Sequence, residues 1–110
     1  MTFQLRVTDI DRAVSWYSEL LGRGPDLLPQ KELAEWEVIP NCWLQIAQGH
    51  KLWLGGPVRF EVDDIEMERT RLRDELETDI SEIERIAGLA AWCNFPDPFG
   101  NRLGLFQDLT

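Results

Sequence analysis

Two short segments of the sequence recur at a spacing of about half the chain, and this internal repeat limits the possible folds more than any other feature. RVTDID at 6–11 aligns with EVDDIE at 61–66, which lies 55 residues further on. WLQIAQ at 43–48 aligns with RLGLFQ at 102–107, 59 residues further on, and both have aliphatic residues at the second and fourth positions and glutamine at the sixth. Because both matches occur in the same order, we interpret the chain as a duplicated module. Two copies are too few for a solenoid.

Each copy begins with an alternating segment, FQLRV or PVRFEV, that is typical of a half-buried strand. A helix follows in each copy. Its start is predicted from Thr8 with Asp11, and from Asp63 with Glu66, because each pair has the spacing of an N-cap and the third helical residue. The first helix has a regular apolar stripe and ends at Gly22; the stripe consists of Ile10, Ala13, Val14, Tyr17, Leu20 and Leu21.

The second helix is predicted at about 64–77, where Ile65, Leu72 and Leu76 share one face. The remaining strands are predicted near 32–38, 51–54, 79–86 and 89–94, in addition to the two matched segments. Each half is therefore a strand, a helix and three further strands. The predicted fold class is α+β, with two βαβββ modules in one domain over 1–110, the first at about 1–54 and the second at about 55–110.

The composition excludes some classes of partner. The chain of 110 residues has a net charge of −9, which argues against binding to nucleic acid or to anionic membrane surfaces. No apolar run is long enough to span a membrane, and no signal peptide is recognised, so a cytoplasmic location is expected. The acidic residues of 61–84 are interpreted as a solvated face, with attraction of a cationic ligand as the alternative.

Cysteine and histidine offer little reactive chemistry. Cys42 and Cys93 match no zinc-binding spacing, and two thiols are expected rather than a disulfide. His50 is the only histidine and lies in a predicted turn. No Ser–His or Cys–His pair is therefore expected. For an isomerase that uses side chains alone, Glu61 is the one candidate acid or base, but a carboxylate near cations is a weak base, and no catalytic residue is assigned.

Four segments together resemble the vicinal oxygen chelate superfamily, which includes glyoxalase I, bleomycin resistance proteins, fosfomycin resistance enzymes and ring-cleaving dioxygenases. These segments are RVTDIDRAVSWYSELLG at 6–22, AEWEV with CWLQI at 34–46, FEVDDIE at 60–66 and FPDPFGNRLGLFQ at 95–107. The resemblance implies that the two modules form a cupped mixed sheet with the helices on its outer face. It also implies a homodimer.

The resemblance further implies where a metal would be held. In metal-dependent members each module supplies two ligands, usually His, Glu or Gln, from its first and last strands. Carried over to this sequence, the four positions are Thr2, Gln45, Pro57 and Gly104. Only Gln45 keeps a usual donor, so neither a metal nor another cofactor is expected.

The lining of the cup is predicted from the period-two alternation of the strands. The side chains opposite the packed face are Gln4, Arg6, Trp43, Gln45, Arg59, Glu61, Arg102 and Phe106. Gly104 is expected to face the same side and to leave an opening where a ligand approaches the backbone. Trp36, Trp53 and Trp92 are candidates for further walls.

These residues predict a metal-free protein that binds a small anionic or aromatic ligand, since guanidinium groups bind carboxylates and stack on rings. Two alternatives stay open. Arg59 or Arg102 could pair with Glu61 and close the cup, which would leave an interaction subunit. A metal-dependent lyase or dioxygenase of the same superfamily is the other alternative.

Overall fold

The computed structural model describes residues 1–49 and 57–110. The chain divides into two compact units, Met1–Trp53 and Leu54–Thr110. The elements of the first unit are β1 (Thr2–Val7), α1 (Ile10–Leu21), β2 (Leu27–Gln30), β3 (Leu33–Ile39) and β4 (Cys42–Gln48). Those of the second unit are β5 (Val58–Glu61), α2 (Ile65–Leu76), β6 (Glu84–Ile86), β7 (Ala90–Pro96) and β8 (Arg102–Asp108).

Each unit contains one mixed sheet of four strands with one helix packed against it. The strand orders are β1-β4-β3-β2 and β5-β8-β7-β6, and in each sheet the first strand pairs with the last in parallel while the other pairs are antiparallel. The predicted fold class, α+β with two βαβββ modules, is confirmed. Both helices have 12 residues, and within the described ranges no helix is long and apolar enough to cross a membrane.

Both helices begin one residue later than the repeat predicts. The N-caps are Asp9 and Asp64, not Thr8 and Asp63, and their side chains accept hydrogen bonds from Arg12 N and Met67 N. Both caps have extended backbones, which brings the carboxylate over the free N–H groups of the first turn. The predicted capping pairs are therefore wrong by one position, although the equivalence of the two helices holds.

The glutamines shared by the two repeated segments hold the start of each helix against the end of its sheet. Gln48 Oε1 accepts a hydrogen bond of 3.1 Å from Ile10 N, and Gln107 Oε1 accepts one of 3.0 Å from Ile65 N. The first N–H groups of a helix have no partner within the helix. The last strand of each unit supplies one, because it lies beside the first strand, which leads into the helix.

Each helix buries one face against its own sheet. In the first unit Tyr17 packs against Trp36, with ring centroids 6.2 Å apart, and both side chains are fully buried. In the second unit Leu72 of α2 is buried on the side of the sheet formed by Cys93, Leu103 and Leu105. The periodicity in the sequence predicted both helix faces.

The predicted strands differ from the structure in three places. Residues 27–30 form β2, which was not predicted because Leu-Leu-Pro-Gln shows no alternation and is exposed throughout. The strand predicted at 79–86 is shortened to β6, since 78–83 bonds to β7 irregularly, through Ser81 N to Asn94 O. The strand predicted at 51–54 lies outside the described residues.

The turn between β7 and β8 is built around a buried carboxylate. Asp97 Oδ1 accepts hydrogen bonds of 2.8 Å from the backbone N–H groups of Phe99 and Asn101, and Oδ2 accepts one of 2.7 Å from Asn101 Nδ2. Asp97 and Asn101 are only 4% and 5% exposed. The DPFGN segment that resembles a family signature therefore has a structural role here.

We expect Asp97→Ala to destabilise the protein by about 2–4 kcal/mol, because three donors lose a buried charged acceptor. Urea denaturation followed by circular dichroism measures this free energy of unfolding. Asp108→Ala is the matched control, since the Asp108 side chain is exposed and, among the described residues, accepts hydrogen bonds only from Thr110. Its cost should stay within about 0.5 kcal/mol, and equal losses in the two variants would contradict the proposed role of the turn.

The residues that cap the C-termini of the two helices differ: one is glycine and the other is glutamate. Gly22 ends α1 with φ 78°, and the equivalent residue after α2 is Glu77, with φ 52°. A side chain in this left-handed region costs about 1 kcal/mol. We therefore expect Glu77→Gly to stabilise the protein by up to about 1 kcal/mol and Gly22→Ala to destabilise it by a similar amount. A stability loss in Glu77→Gly, measured by the same denaturation assay, would show that the cap geometry is not limiting.

Candidate functional site

The face of each sheet opposite its helix is polar and is called here the open face of that unit. The first open face carries Gln4 and Arg6 of β1, Trp43 and Gln45 of β4, and Glu35 and Glu37 of β3. The second open face carries Arg59 and Glu61 of β5, Arg102, Gly104 and Phe106 of β8, and Trp92 and Asn94 of β7. The eight residues predicted to line the cup thus lie four on each open face.

A row of hydrogen bonds crosses three strands of the first open face. Arg6 Nε donates to Gln4 Oε1 at 2.9 Å, and Gln4 Nε2 donates to Gln45 Oε1 at 3.2 Å. Gln45 Nε2 in turn donates to Glu35 Oε1. The register explains this row, since Gln4 is paired with Gln45 and Gln45 with Glu35. Both amides are therefore held in place by neighbouring side chains.

The first open face also carries acidic residues that were not among those predicted to line it. Glu35 joins the row, and Glu37 Oε2 accepts a hydrogen bond of 3.1 Å from Asn41 N in the following turn. The signal was present, because Ala34 and Trp36 alternate with the two glutamates and both are buried. The first open face consequently carries two carboxylates beside Arg6 and is not basic.

On the second open face the corresponding row consists of Arg59 and Asn94, whose side chains meet across Gly104. Arg59 Nε and Nη2 donate to Asn94 Oδ1 at 3.2 and 3.1 Å. Gly104 lies between them in the sheet, paired with Arg59 on one side and with Asn94 on the other. A Cβ at position 104 would come within 2.9 Å of Arg59 Cγ, 2.8 Å of Asn94 Oδ1 and 2.7 Å of Cys93 O. Only glycine leaves space for this arrangement.

This geometry changes two expectations. Gly104 is not an opening toward a ligand, because the aliphatic part of Arg59 lies against it. The pairing of Arg59 or Arg102 with Glu61 is also not formed: within 1–49 and 57–110, none of the three takes part in an ion pair. All three are exposed.

The tryptophans occupy different environments, and among those that the structure describes only Trp36 departs from the expectation. Trp36 is not a wall of the open face, because it is fully buried in the helix-facing core and its Nε1 donates to Arg23 O at 3.0 Å. Trp92 is half-buried and is paired directly with Phe106 across β7 and β8. Trp43 is half-buried on the first open face, and Trp53 lies outside the described residues.

The residues at the four family ligand positions do not fit a divalent metal. In the first unit Gln45 is engaged by Gln4 and Glu35, and Thr2 offers only a hydroxyl. In the second unit Pro57 and Gly104 have no donor side chain, and the cationic side chain of Arg59 lies over the glycine. Metal sites are built from oxygen, nitrogen or sulfur donors. Among the described residues, no cluster of three or more His, Cys, Asp or Glu could hold a metal.

The thiols add no nucleophile to either open face. Cys93 and Cys42 are free, Cys93 buried in the core of its unit and Cys42 half-buried. Burial raises the pKa of the Cys93 thiol, which opposes formation of the reactive thiolate. His50 lies outside the described residues.

Comparison with known proteins places the fold. A glyoxalase/bleomycin resistance protein from Catenulispora acidiphila has a TM-score of 0.78 at 20% identity, over 97% of this chain and 96% of that chain. Lactoylglutathione lyase from Agrobacterium tumefaciens has a TM-score of 0.77 at 19% identity, over 97% and 91%. A genomically encoded fosfomycin resistance protein from Listeria monocytogenes has a TM-score of 0.79 at 13% identity, over 97% and 90%.

No family model matches the chain, and no curated protein sequence matches it significantly. At identities this low, the structural likeness establishes the fold alone. The chain has the fold of the vicinal oxygen chelate superfamily, as the resemblance of its motifs predicted.

Proposed function

We propose that this protein is a metal-free binding protein that takes a small anionic or aromatic ligand in the cup that its sequence predicts, and that it works as a cytoplasmic homodimer. One observation carries the proposal. The side chain of Arg59 lies across Gly104, the position at which metal-dependent members of the superfamily carry a carboxylate ligand. A positive charge beside this position disfavours a metal cation and favours an anion.

The composition of the second open face supports the ligand class. Arg59 and Arg102 are exposed there and, among the described residues, have no carboxylate partner. Phe106 and Trp92 lie on the same face and are paired with each other. Guanidinium groups with aromatic neighbours suit a ligand that has a carboxylate or a flat ring.

An interaction subunit is the second candidate, and the first open face favours it. There the polar side chains of Gln4, Gln45 and Glu35 satisfy one another, so a ligand would have to displace existing hydrogen bonds. A subunit of this kind would bind neither a metal nor small molecules. The measurement below therefore separates it from the main proposal.

We expect the untagged protein, purified without chelators, to contain far less than one transition-metal ion per chain by elemental analysis. We also expect anionic or aromatic members of a library of small anionic, neutral and cationic molecules to raise its melting temperature without added metal, because a ligand that binds only the folded state stabilises it. Stabilisation only by compounds that are neither anionic nor aromatic would overturn the proposed ligand class.

The outcomes are distinct. About one metal ion per chain would overturn the proposal and favour the metal-dependent lyase or dioxygenase. Background metal with no stabilising compound in any charge class would favour the interaction subunit. Heat-denatured protein with the same library serves as the control for nonspecific signals.

The dimer is supported by apolar side chains at a sheet edge. β2 is the outermost strand of its sheet, and Leu27 and Leu28 on it are 49% and 65% exposed. Exposed sheet edges with apolar side chains readily associate. We propose that a second copy of the chain covers this edge.

Sedimentation velocity over a range of micromolar concentrations should therefore give the mass of two chains. Leu28→Glu should shift the equilibrium toward the monomer, because a charge would be buried at the contact. Leu89→Glu is the matched control: Leu89 is 51% exposed and follows β6 in the second unit. A monomer at all concentrations, or equal effects of the two variants, would overturn this proposal.

A further inference from the structure

We propose that the second open face binds planar aromatic monocarboxylates, with the carboxylate between Arg59 and Arg102 and the ring at Phe106 and Trp92. This inference rests on the proposed function and specifies its ligand. It places the binding determinants on β5, β7 and β8 of the second unit, so it can be argued from that unit alone.

Arg59 is held in one orientation by a neutral side chain, so the positive charge of its guanidinium is not cancelled. Its partner, Asn94, is an amide that accepts from both Nε and Nη2. A carboxylate at the same place would fix the guanidinium equally well but would cancel its charge. The neutral acceptor holds the geometry and leaves the full positive charge available to an incoming anion.

Asn94, which accepts the hydrogen bonds of Arg59, is itself held in place by its neighbours in the sheet. Its backbone N–H donates to Ser81 Oγ at 2.9 Å, and its carbonyl accepts from Ser81 N at 2.9 Å. The other edge of the same strand pairs with β8 at Gly104. The guanidinium is therefore held through Asn94 by a strand bonded on both sides, and such preorganisation lowers the entropic cost of binding.

A second guanidinium group, that of Arg102, lies on the same face of the sheet as Arg59. Arg102 precedes Gly104 by two residues on β8, so its side chain leaves the same face of the sheet. It is exposed and has no ion-pair partner among the described residues. Arg59 and Arg102 can thus approach one carboxylate from two strands.

The aromatic pair, Phe106 and Trp92, lies further along the same face of the sheet. Phe106 follows Gly104 by two residues on the same face and is paired with Trp92. Two residues of a strand span about 7 Å. This distance separates Gly104, over which Arg59 lies, from Phe106. The distance from the ring centre to the carboxylate carbon is shorter than this in both benzoate and cinnamate, and cinnamate comes closer to it.

Two acidic residues lie beside the aromatic pair. Glu61 is paired with Phe106 on β5, and Glu84 is paired with Trp92 on β6. Both are exposed. Like charges repel, so these carboxylates disfavour a second anionic group on the ring and fix the orientation of a monocarboxylate.

Isothermal titration calorimetry of the full chain tests this inference with three probes of the same shape: cinnamate, neutral cinnamamide and cationic cinnamylamine. We expect cinnamate to bind about tenfold or more tightly than cinnamamide, because a charge-assisted contact to guanidinium is lost in the amide. 4-Carboxycinnamate should bind more weakly than cinnamate, because its second carboxylate meets Glu61 and Glu84.

Two variants locate the site. Arg59→Gln removes the cation. Asn94→Asp keeps the shape of the side chain at position 94 but places a negative charge against Arg59, which cancels the positive charge of the guanidinium. Each variant should bind cinnamate about tenfold more weakly and leave cinnamamide binding unchanged. Arg73→Gln is the matched control, since it removes one exposed arginine from α2 and should have no effect. Circular dichroism and the melting temperature verify that each variant is folded.

The possible results separate this inference from the proposed function. If cinnamate binds but Arg59→Gln and Asn94→Asp bind it equally well, the inference is overturned and the proposed function stands. The same holds if cinnamamide or cinnamylamine binds better than cinnamate, or if only other anionic or aromatic members of the library stabilise the protein. If no compound of any class binds, both are overturned.

Discussion

The parallel pairing of the first and last strands in each unit is the constraint on which the rest of the structure depends. A parallel pair needs a long crossover connection, which in each unit consists of the helix and two further strands, and the pairing makes the last strand the neighbour of the strand that leads into the helix. Gln48 and Gln107 can therefore reach the helix starts at Ile10 and Ile65. The same pairing aligns side chains of three strands into rows on the open face, and the candidate site is one such row in each unit.

The two rows are variations on one geometry. In the first unit three side chains of moderate length form a relay, from Gln4 through Gln45 to Glu35. In the second unit the central side chain is absent, and Arg59 spans the whole distance to Asn94. The first arrangement consumes hydrogen-bonding capacity within the sheet, whereas the second leaves a net positive charge at the surface. The duplicated modules therefore share a fold while differing in chemistry.

Much of the fold was predictable because it depends on periodicity and on the repeat. The helix faces, the module order and the alternation of the paired strands all follow from apolar spacing along the chain. The cap positions were wrong by one residue, since Thr8 and Asp9 are both good caps and only the backbone dihedral angles decide between them. β2 was missed because an exposed edge strand with a proline has no apolar pattern. In the site, Glu35 could have been assigned from alternation, but the contact of Arg59 with Asn94 depends on strand register, which one sequence does not specify.

The close contact at Gly104 has a consequence for how this protein can change. A side chain at position 104 would collide with Arg59, with Asn94 and with the Cys93 carbonyl, so residue 104 cannot change before its surroundings do, whereas residue 59 can change while the glycine stays. A lineage that acquired a carboxylate at 104 would first have to shorten residue 59 and shift the backbone of β7; the reverse order passes through an intermediate with a steric clash. Changes at these positions therefore have a required order: residue 59 and the backbone of β7 must change before the glycine can be replaced.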